Sequence, residues 1–301
     1  MKKQSKKFML AGVVLLAIAG LLALTSCKND SVPEQGTSVQ EETWLQEQKK
    51  ELEDKTEGTI TAPSYLTKGG LVDLAKLLRD LPYGVQVDLD LSQATGLTYI
   101  AAGTFIECPT LKSVELPSSV TEIGQYAFQA CHNLTEVTIP AGVTTIGASA
   151  FQHCWSLTEV TIPAGVTTIG DFTFDNCRNL TEVTIPKGVT TIGDAAFQNC
   201  QNLTEVTIPK GVTTIGSFAF AFTDLTKVAI PEGVTTIGDY AFEGCSRLAE
   251  VIFQETGGWH LQDPMTNEID ADTIVVDDSS TNATNLKDYA GQWYGKYLIR
   301  K

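Results

Sequence analysis

Residues 134–156 read LTEVTIPAGVTTIGASAFQHCWS, and near-copies of this unit recur along the middle of the chain. The copies begin at leucines that lie 23 residues apart, apart from one interval of 22. These leucines are Leu111, Leu134, Leu157, Leu180, Leu203, Leu225 and Leu248. An imperfect copy containing Ile100, Phe105 and Cys108 precedes the first of them. A fixed period of this length is typical of a solenoid, in which each repeat forms one coil.

Each unit begins with a pattern that predicts a half-buried strand. Val137 and Ile139 alternate with Glu136 and Thr138, and Pro140 ends the alternation. The later valine, isoleucine, phenylalanine and cysteine positions add apolar side chains that one unit cannot bury alone. Stacking the units about 4.8 Å apart buries these side chains as continuous columns. We therefore predict an α/β-type repeat solenoid, a right-handed coil with one parallel sheet.

The unit also resembles a known repeat family. The pattern L-x-x-V-x-I from Leu134, the ending A-F-x-x-C at Cys154 and the 23-residue period are similar to those of BspA-like, Treponema pallidum-type leucine-rich repeats. The resemblance covers Leu97 to Phe253, about half the chain. The resemblance implies a leucine-rich-repeat scaffold on a surface lipoprotein. Members of that family are mostly surface proteins that bind host matrix proteins or other cells.

The N-terminus has the pattern of a processing signal. Four lysines precede an apolar run from Phe8 to Leu22, which is too short and too early to be a convincing transmembrane span. The next residues, Leu24-Thr-Ser-Cys27, resemble a bacterial lipobox. The resemblance implies cleavage before Cys27 and acylation of Cys27, which would hold the protein on a membrane. An ordinary secretory peptide with a chance cysteine is the alternative.

The remaining segments are predicted from composition and periodicity. We expect a lipoprotein signal peptide at 1–26, an acidic tether at 27–64 with one helix around 41–53, an N-terminal cap at 65–96, repeats at 97–253, and an irregular C-terminal cap at 254–301. The N-terminal cap is predicted to be an amphipathic helix. Its leucines at helical spacing are Leu71, Leu74, Leu77, Leu78 and Leu81.

The net charge restricts the possible partners. The chain carries a formal charge of −15, and removal of residues 1–26, which contain four lysines and no acidic residue, makes it more negative. A protein this acidic repels nucleic-acid phosphates and anionic headgroups. We therefore expect the protein to bind a neutral or basic protein or matrix macromolecule and not to bind nucleic acid. We also expect it to be a monomer. Its membrane contact would be the lipid at Cys27.

The cysteines other than Cys27 occupy one column of the repeat. They are Cys108, Cys131, Cys154, Cys177, Cys200 and Cys245. We interpret them as a structural column, because free cysteine packs as a small apolar side chain. His132 and His153 adjoin two of these cysteines and suggest zinc, but they differ in register, so we read them as exposed loop residues. No metal or cofactor is predicted.

No residue pattern indicates an enzyme. The serines lack a G-x-S-x-G setting, and no glycine-rich loop has a phosphate-binding form. The glycines recur because every coil turns. We therefore predict a non-catalytic protein.

The exposed columns carry the candidate binding residues. Glu136, Glu159, Glu182 and Glu205 share one outward strand position, and Lys227 interrupts this column. One interpretation is a column that binds a basic partner. The other is charge that keeps an open sheet face soluble.

Two further columns contain aromatic residues. Trp155 lies at a position that is otherwise polar, which suggests an exposed contact residue, although isolated exposed aromatic residues are ordinary. Large and small residues alternate in the other column, which favours packing between coils over a ligand-binding strip. Its members are Tyr126, Ser149, Phe172, Ala195, Phe218 and Tyr240.

Together these features favour a lipid-anchored, adhesin-like protein exported to the cell surface, at the outer membrane. A structural or assembly role in the cell envelope is the alternative. An enzyme carried on a repeat scaffold is the third and weakest hypothesis.

Overall fold

The structure is a computed structural model that describes residues 37–254 and the backbone of two strands, at 259–262 and 297–300. The predicted signal peptide and Cys27 lie outside the described residues. So does most of the predicted C-terminal cap.

The N-terminal cap contains two helices and the first strand. Helix α1 spans Val39–Leu52, strand β1 spans Glu57–Thr61, and helix α2 spans Lys68–Asp80. Helix α2 buries Leu71, Leu74 and Leu78 and leaves Leu77 partly buried, as its amphipathic pattern predicts. The helix predicted around 41–53 is α1.

The predicted tether at 27–64 is wrong for residues 37–64. Trp44 and Leu52 of α1 and Ile60 of β1 are buried in the same core as the repeats. Strand β1 pairs in parallel with β2 (Gln86–Asp90) and so adds one strand to the sheet. The acidic composition hid this role, because most of the charged residues of α1 are exposed while Trp44 and Leu52 are buried.

A first ladder of parallel strands runs along the solenoid. After β2 its strands are β4 (Leu111–Glu115), β6 (Glu136–Thr138), β8 (Glu159–Thr161), β10 (Glu182–Thr184), β13 (Lys227–Ile230) and β15 (Glu250–Phe253). Every pairing between described strands of this ladder is parallel. The ladder is divided into three paired segments, because β6 does not pair with β8 and the coil that contains Glu205 has no regular strand at this position.

A second ladder of two-residue strands lies at another position of each coil. Its members are β3 (Tyr99–Ile100), β5 (Glu122–Ile123), β7 (Thr145–Ile146), β9 (Thr168–Ile169), β11 (Thr191–Ile192), β12 (Thr214–Ile215) and β14 (Thr236–Ile237). The repeat solenoid with parallel strands is thus confirmed, and the structure adds this second ladder to the predicted sheet.

Two antiparallel strands extend the second ladder. Strand β17 (Tyr297–Arg300) pairs with β14, and β16 (Trp259–Gln262) pairs with β17. The described part of the C-terminal region is therefore regular, whereas the sequence predicted an irregular cap.

The interior of the solenoid is built from stacked columns. Seven fully buried phenylalanine rings follow one another with centroids 5.2–5.5 Å apart and nearly parallel planes. They are Phe105, Phe128, Phe151, Phe174, Phe197, Phe220 and Phe242. The coils approach so closely that a side chain at Gly147 would strike the backbone of Gln125 in the preceding coil. This contact explains the glycine at the turn after the second strand.

Candidate interaction surfaces

The acidic column lies on the outward face of the first ladder. Glu136, Glu159 and Glu182 are exposed, and the valine that follows each of them is buried. Glu159 lies directly opposite Glu182 in the parallel register. Glu205 is also exposed, although its coil has no regular strand. The structure therefore places all four carboxylates on the solvent side, as the alternation predicts.

The interruption at Lys227 is an ion pair. Lys227 lies opposite Glu250 in the register of β13 and β15, and its Nζ lies 2.7 Å from Glu250 Oε2. The column thus continues through Glu250, with its one cation neutralised by the next coil. Lys210, which lies in a turn near the column, pairs with Glu232 at 3.8 Å instead of with a column glutamate.

Trp155 lies in a three-residue stack at a corner of the solenoid. The Trp155 ring is 40% exposed, and the ring of His132 from the preceding coil stacks on it with centroids 3.8 Å apart. The guanidinium carbon of Arg178, from the next coil, lies 5.4 Å from the indole centroid in a cation–π contact. The sequence identified Trp155 alone. Its two neighbours are recognisable only as members of the same repeat column.

Backbone hydrogen bonds hold this corner in register. The N–H of Asn179 donates to the carbonyl of Trp155, and the N–H of Asn202 donates to the carbonyl of Arg178. On the other side, Nδ1 of His132 lies 3.0 Å from the carbonyl oxygen of His153 and acts as the donor there. The three stacked side chains therefore stand on a fixed backbone.

The two histidines are partly buried, where the sequence predicted exposed loop residues. Among the described residues, no group of three or more histidine, cysteine, aspartate or glutamate side chains is arranged to hold a metal ion. His132 is instead occupied by its stack and its bond to a carbonyl.

The column of alternating large and small residues is only partly explained by packing. Ser149 and Ala195 are buried, but Tyr126 and Phe172 are 38% and 41% exposed. Packing between coils therefore does not account for Tyr126 and Phe172, whereas Phe218 and Tyr240 are partly buried and stack on each other with centroids 4.9 Å apart. All six residues of the column have a positive φ, the small ones as well as the large ones, so the backbone conformation does not explain the alternation.

The six repeat cysteines are buried, and none of them forms a disulfide. In five of them Sγ lies 3.0–3.2 Å from a phenylalanine carbonyl oxygen of another coil, to which the thiol donates. Burial raises the pKa of the Cys108 thiol to about 12 and the pKa of Cys131, Cys154 and Cys177 well above the ordinary value. A neutral, enclosed thiol is neither a good metal ligand nor a nucleophile.

The N-terminal cap carries a shallow pocket that the sequence did not indicate. Its volume is about 290 Å³, and one face of α1 together with Tyr65 forms its wall. The lining residues are Val39, Gln40, Thr43, Trp44, Glu47 and Tyr65.

Within the part of the chain that the structure describes, no helix has the length and apolar character needed to cross a membrane.

Comparison with known proteins identifies the repeats. The family described as the BspA type leucine rich repeat region matches residues 98–216 and 167–260, in six copies. No curated protein matches the chain significantly.

Two solved structures are similar in both sequence and fold. A leucine rich cell surface protein from Faecalibacterium prausnitzii A2-165 is 40% identical over 53% of this chain and 43% of its own, with a TM-score of 0.51. A leucine rich repeat protein from T. pallidum is 30% identical over 64% of this chain and 79% of its own, with a TM-score of 0.50. The chain thus spans less than half of the first protein and most of the second. With the family matched over more than half of its residues, the chain belongs to the BspA-type leucine-rich-repeat proteins.

Proposed function

We propose that this protein is a lipid-anchored, adhesin-like surface protein that binds a basic macromolecule, without catalysis, through the acidic column on its first ladder. The column comprises Glu136, Glu159, Glu182 and Glu205. Acylation of Cys27 would supply the anchor.

The observation that carries the proposal is a row of like charges without counterions. Among the described residues, no lysine or arginine pairs with any of the four glutamates, whereas Lys227 and Lys210 are both paired elsewhere. Strands in neighbouring coils lie about 4.8 Å apart, so the carboxylates repel one another. A partner with basic side chains relieves this repulsion and is drawn in by the field of the whole chain, whose charge is −15.

Two observations support an external location. The processing pattern that ends at Cys27 is that of an exported lipoprotein. The F. prausnitzii relative is described as a cell surface protein.

The binding proposal is tested by reversing the column. The variant carries lysine at Glu136, Glu159, Glu182 and Glu205, and the probe is a fluorescent oligolysine peptide at low salt. We expect an affinity loss of at least about ten-fold, because each reversed charge turns an attraction into a repulsion. The wild-type affinity should also fall steeply as salt is added.

A matched control separates the column from net charge. Four exposed acidic residues of the N-terminal cap, Glu42, Glu47, Glu53 and Asp54, are changed to lysine, which alters the net charge equally. We expect most of the binding to survive in this control. Equal losses in the two variants, or no loss in either, would contradict the proposal.

The anchor and the location are tested in cells. Cys27→Ala should release the mature protein from membranes, and protease added to intact cells should digest the wild-type repeats. Retention of the variant would place the anchor elsewhere. Protection of the repeats in intact cells would favour the alternative of an assembly role within the envelope.

A further inference from the structure

The corner stack formed by His132, Trp155 and Arg178 presents a cation on a strongly acidic protein. Among the described residues, no carboxylate or carbonyl accepts a hydrogen bond from Arg178. The other two arginines with described side chains have acceptors. Arg79 donates to the carbonyls of Thr104 and Ile106, and Arg247 pairs with Asp224 at 3.2 Å.

The stack holds Arg178 ready for a ligand. The His132 ring stacks on Trp155, and the Arg178 guanidinium carbon lies 5.4 Å from the indole centroid, so contact with the indole limits the motion of both side chains. A guanidinium that is already oriented loses less side-chain entropy when it binds a carboxylate in the two-bond geometry that arginine favours. Arginine and tryptophan are also residue types that dominate binding energy at interfaces.

The stack lies beside the acidic column. Trp155 precedes Glu159, and Arg178 precedes Glu182, by four residues on the same coil. Four residues of chain span at most roughly 14 Å. One short extended peptide can therefore contact the corner and the column together.

These charges are complementary to a partner of mixed charge. We propose that Arg178, supported by Trp155 and His132, receives an aspartate or glutamate side chain of a partner polypeptide whose neighbouring lysines or arginines lie on the acidic column. The inference rests on the proposed binding role of that column and adds the chemistry of the partner. The acidic residue sets where a basic segment binds along the solenoid, because the column offers several equivalent positions and the stack offers one.

The test uses a matched set of synthetic peptides with the full-length protein. Each labelled peptide has four lysines separated by one to five glycines from a single aspartate, and its twin has asparagine in place of aspartate. We expect the aspartate peptide with the best spacing to bind about ten-fold more tightly than its asparagine twin, as a charge-assisted pair allows. Fluorescence anisotropy measures both affinities.

The variants assign the effect to the stack. Arg178→Gln should remove the preference for aspartate while leaving the salt-dependent binding of lysine intact, and Trp155→Ala should reduce the preference by removing the platform. Arg247→Gln is the control, because Arg247 lies in the same region of a later coil but is already paired. All three positions are exposed, so thermal unfolding should show that each variant folds.

The outcomes separate this inference from the proposed function. Equal binding of the aspartate and asparagine peptides to the wild type overturns the inference and leaves the acidic column in place. A preference for aspartate that survives Arg178→Gln also overturns it. Failure of every lysine peptide to bind overturns both proposals.

Discussion

At the scale of the residue, the position of a side chain within the coil decides how deeply it is buried. Phe151 and Phe172 are identical in chemistry and lie one coil apart, yet Phe151 is fully buried and Phe172 is 41% exposed. Phe151 contacts a parallel ring on each side, at 5.3 Å from Phe128 and 5.5 Å from Phe174. Its removal leaves a gap that rigid neighbouring coils cannot fill.

The pair predicts two different effects of the same substitution. Phe151→Ala should lower the free energy of unfolding by about 3–5 kcal/mol, because it creates a cavity and deletes two ring contacts. Phe172→Ala should change it by no more than about 0.5 kcal/mol. Urea unfolding followed by circular dichroism measures both. Similar losses in the two variants would mean that the ring column does not carry the stability assigned to it.

At the scale of the element, one buried carboxylate joins the two cap helices. Glu41 of α1 accepts hydrogen bonds from the N–H of Ser38 at 2.7 Å and from the N–H of Thr67, the N-cap of α2, at 2.6 Å. Burial raises the pKa of Glu41, but bonds from the backbone and side chains of Ser38 and Thr67 outweigh burial. The pKa therefore lies below its ordinary value of 4.5.

This depressed pKa predicts a specific pH dependence. A carboxyl group whose pKa is lower in the folded state stabilises that state above its ordinary pKa, and the contribution is lost as the pH falls through the lower folded value. Glu41→Gln should therefore lower Tm at pH about 7 through loss of about 1–3 kcal/mol, because an amide N–H₂ would face N–H donors. The difference from the wild type should shrink in acid.

The neighbouring Glu42 supplies the control for this experiment. It lies in the same first turn of α1 but is exposed, so Glu42→Gln should leave the melting curve nearly unchanged. Tm is measured across the range from pH about 3 to about 7. A difference between the Glu41 variant and the wild type that stays constant down to the acid end would show that the carboxylate charge is not what joins the helices.

At the scale of the whole molecule, the ends of the solenoid are its weak points, because a coil without a neighbour exposes its apolar interior. Helix α2 closes the first coil with apolar and polar contacts. Thr110 Oγ1 donates to the carbonyl of Leu78, the Cys108 thiol donates to the carbonyl of Ala75, and Arg79 donates to Thr104 and Ile106. The helix therefore covers this end of the solenoid, and side chains of the first coil hold the helix in place by hydrogen bonds to its carbonyl groups.

Deletion of the cap tests this role. A chain that begins at residue 97 should self-associate and bind a hydrophobic dye, because it uncovers the apolar side of the first coil. A chain that begins at residue 37 retains α1, β1 and α2 and should remain monomeric. Size-exclusion chromatography and dye fluorescence distinguish the two. A monomeric, dye-free chain from residue 97 would show that the first coil needs no cap.

The sequence by itself determined the solenoid and the content of its core. The 23-residue period aligns like residues in successive coils, and the alternation around Val137 decides which side chains turn inward. Both signals are local and repeated, so they can be read from the sequence without knowing which distant residues are in contact. The outward column at Glu136 follows from the same alternation.

Only the tertiary structure decided which neighbouring side chains meet. Lys227 pairs with Glu250, and Arg178 lies over Trp155, because rotamers and the register of two coils bring these atoms together. That Tyr126 is exposed while Ser149, at the same repeat position, is buried also became visible only in the structure. Residues 37–64 belong to the core because Leu52 and Ile60 are buried in one cluster with apolar residues far along the chain. Composition averages over a segment, and it cannot show that a few apolar residues share one face with a distant sheet.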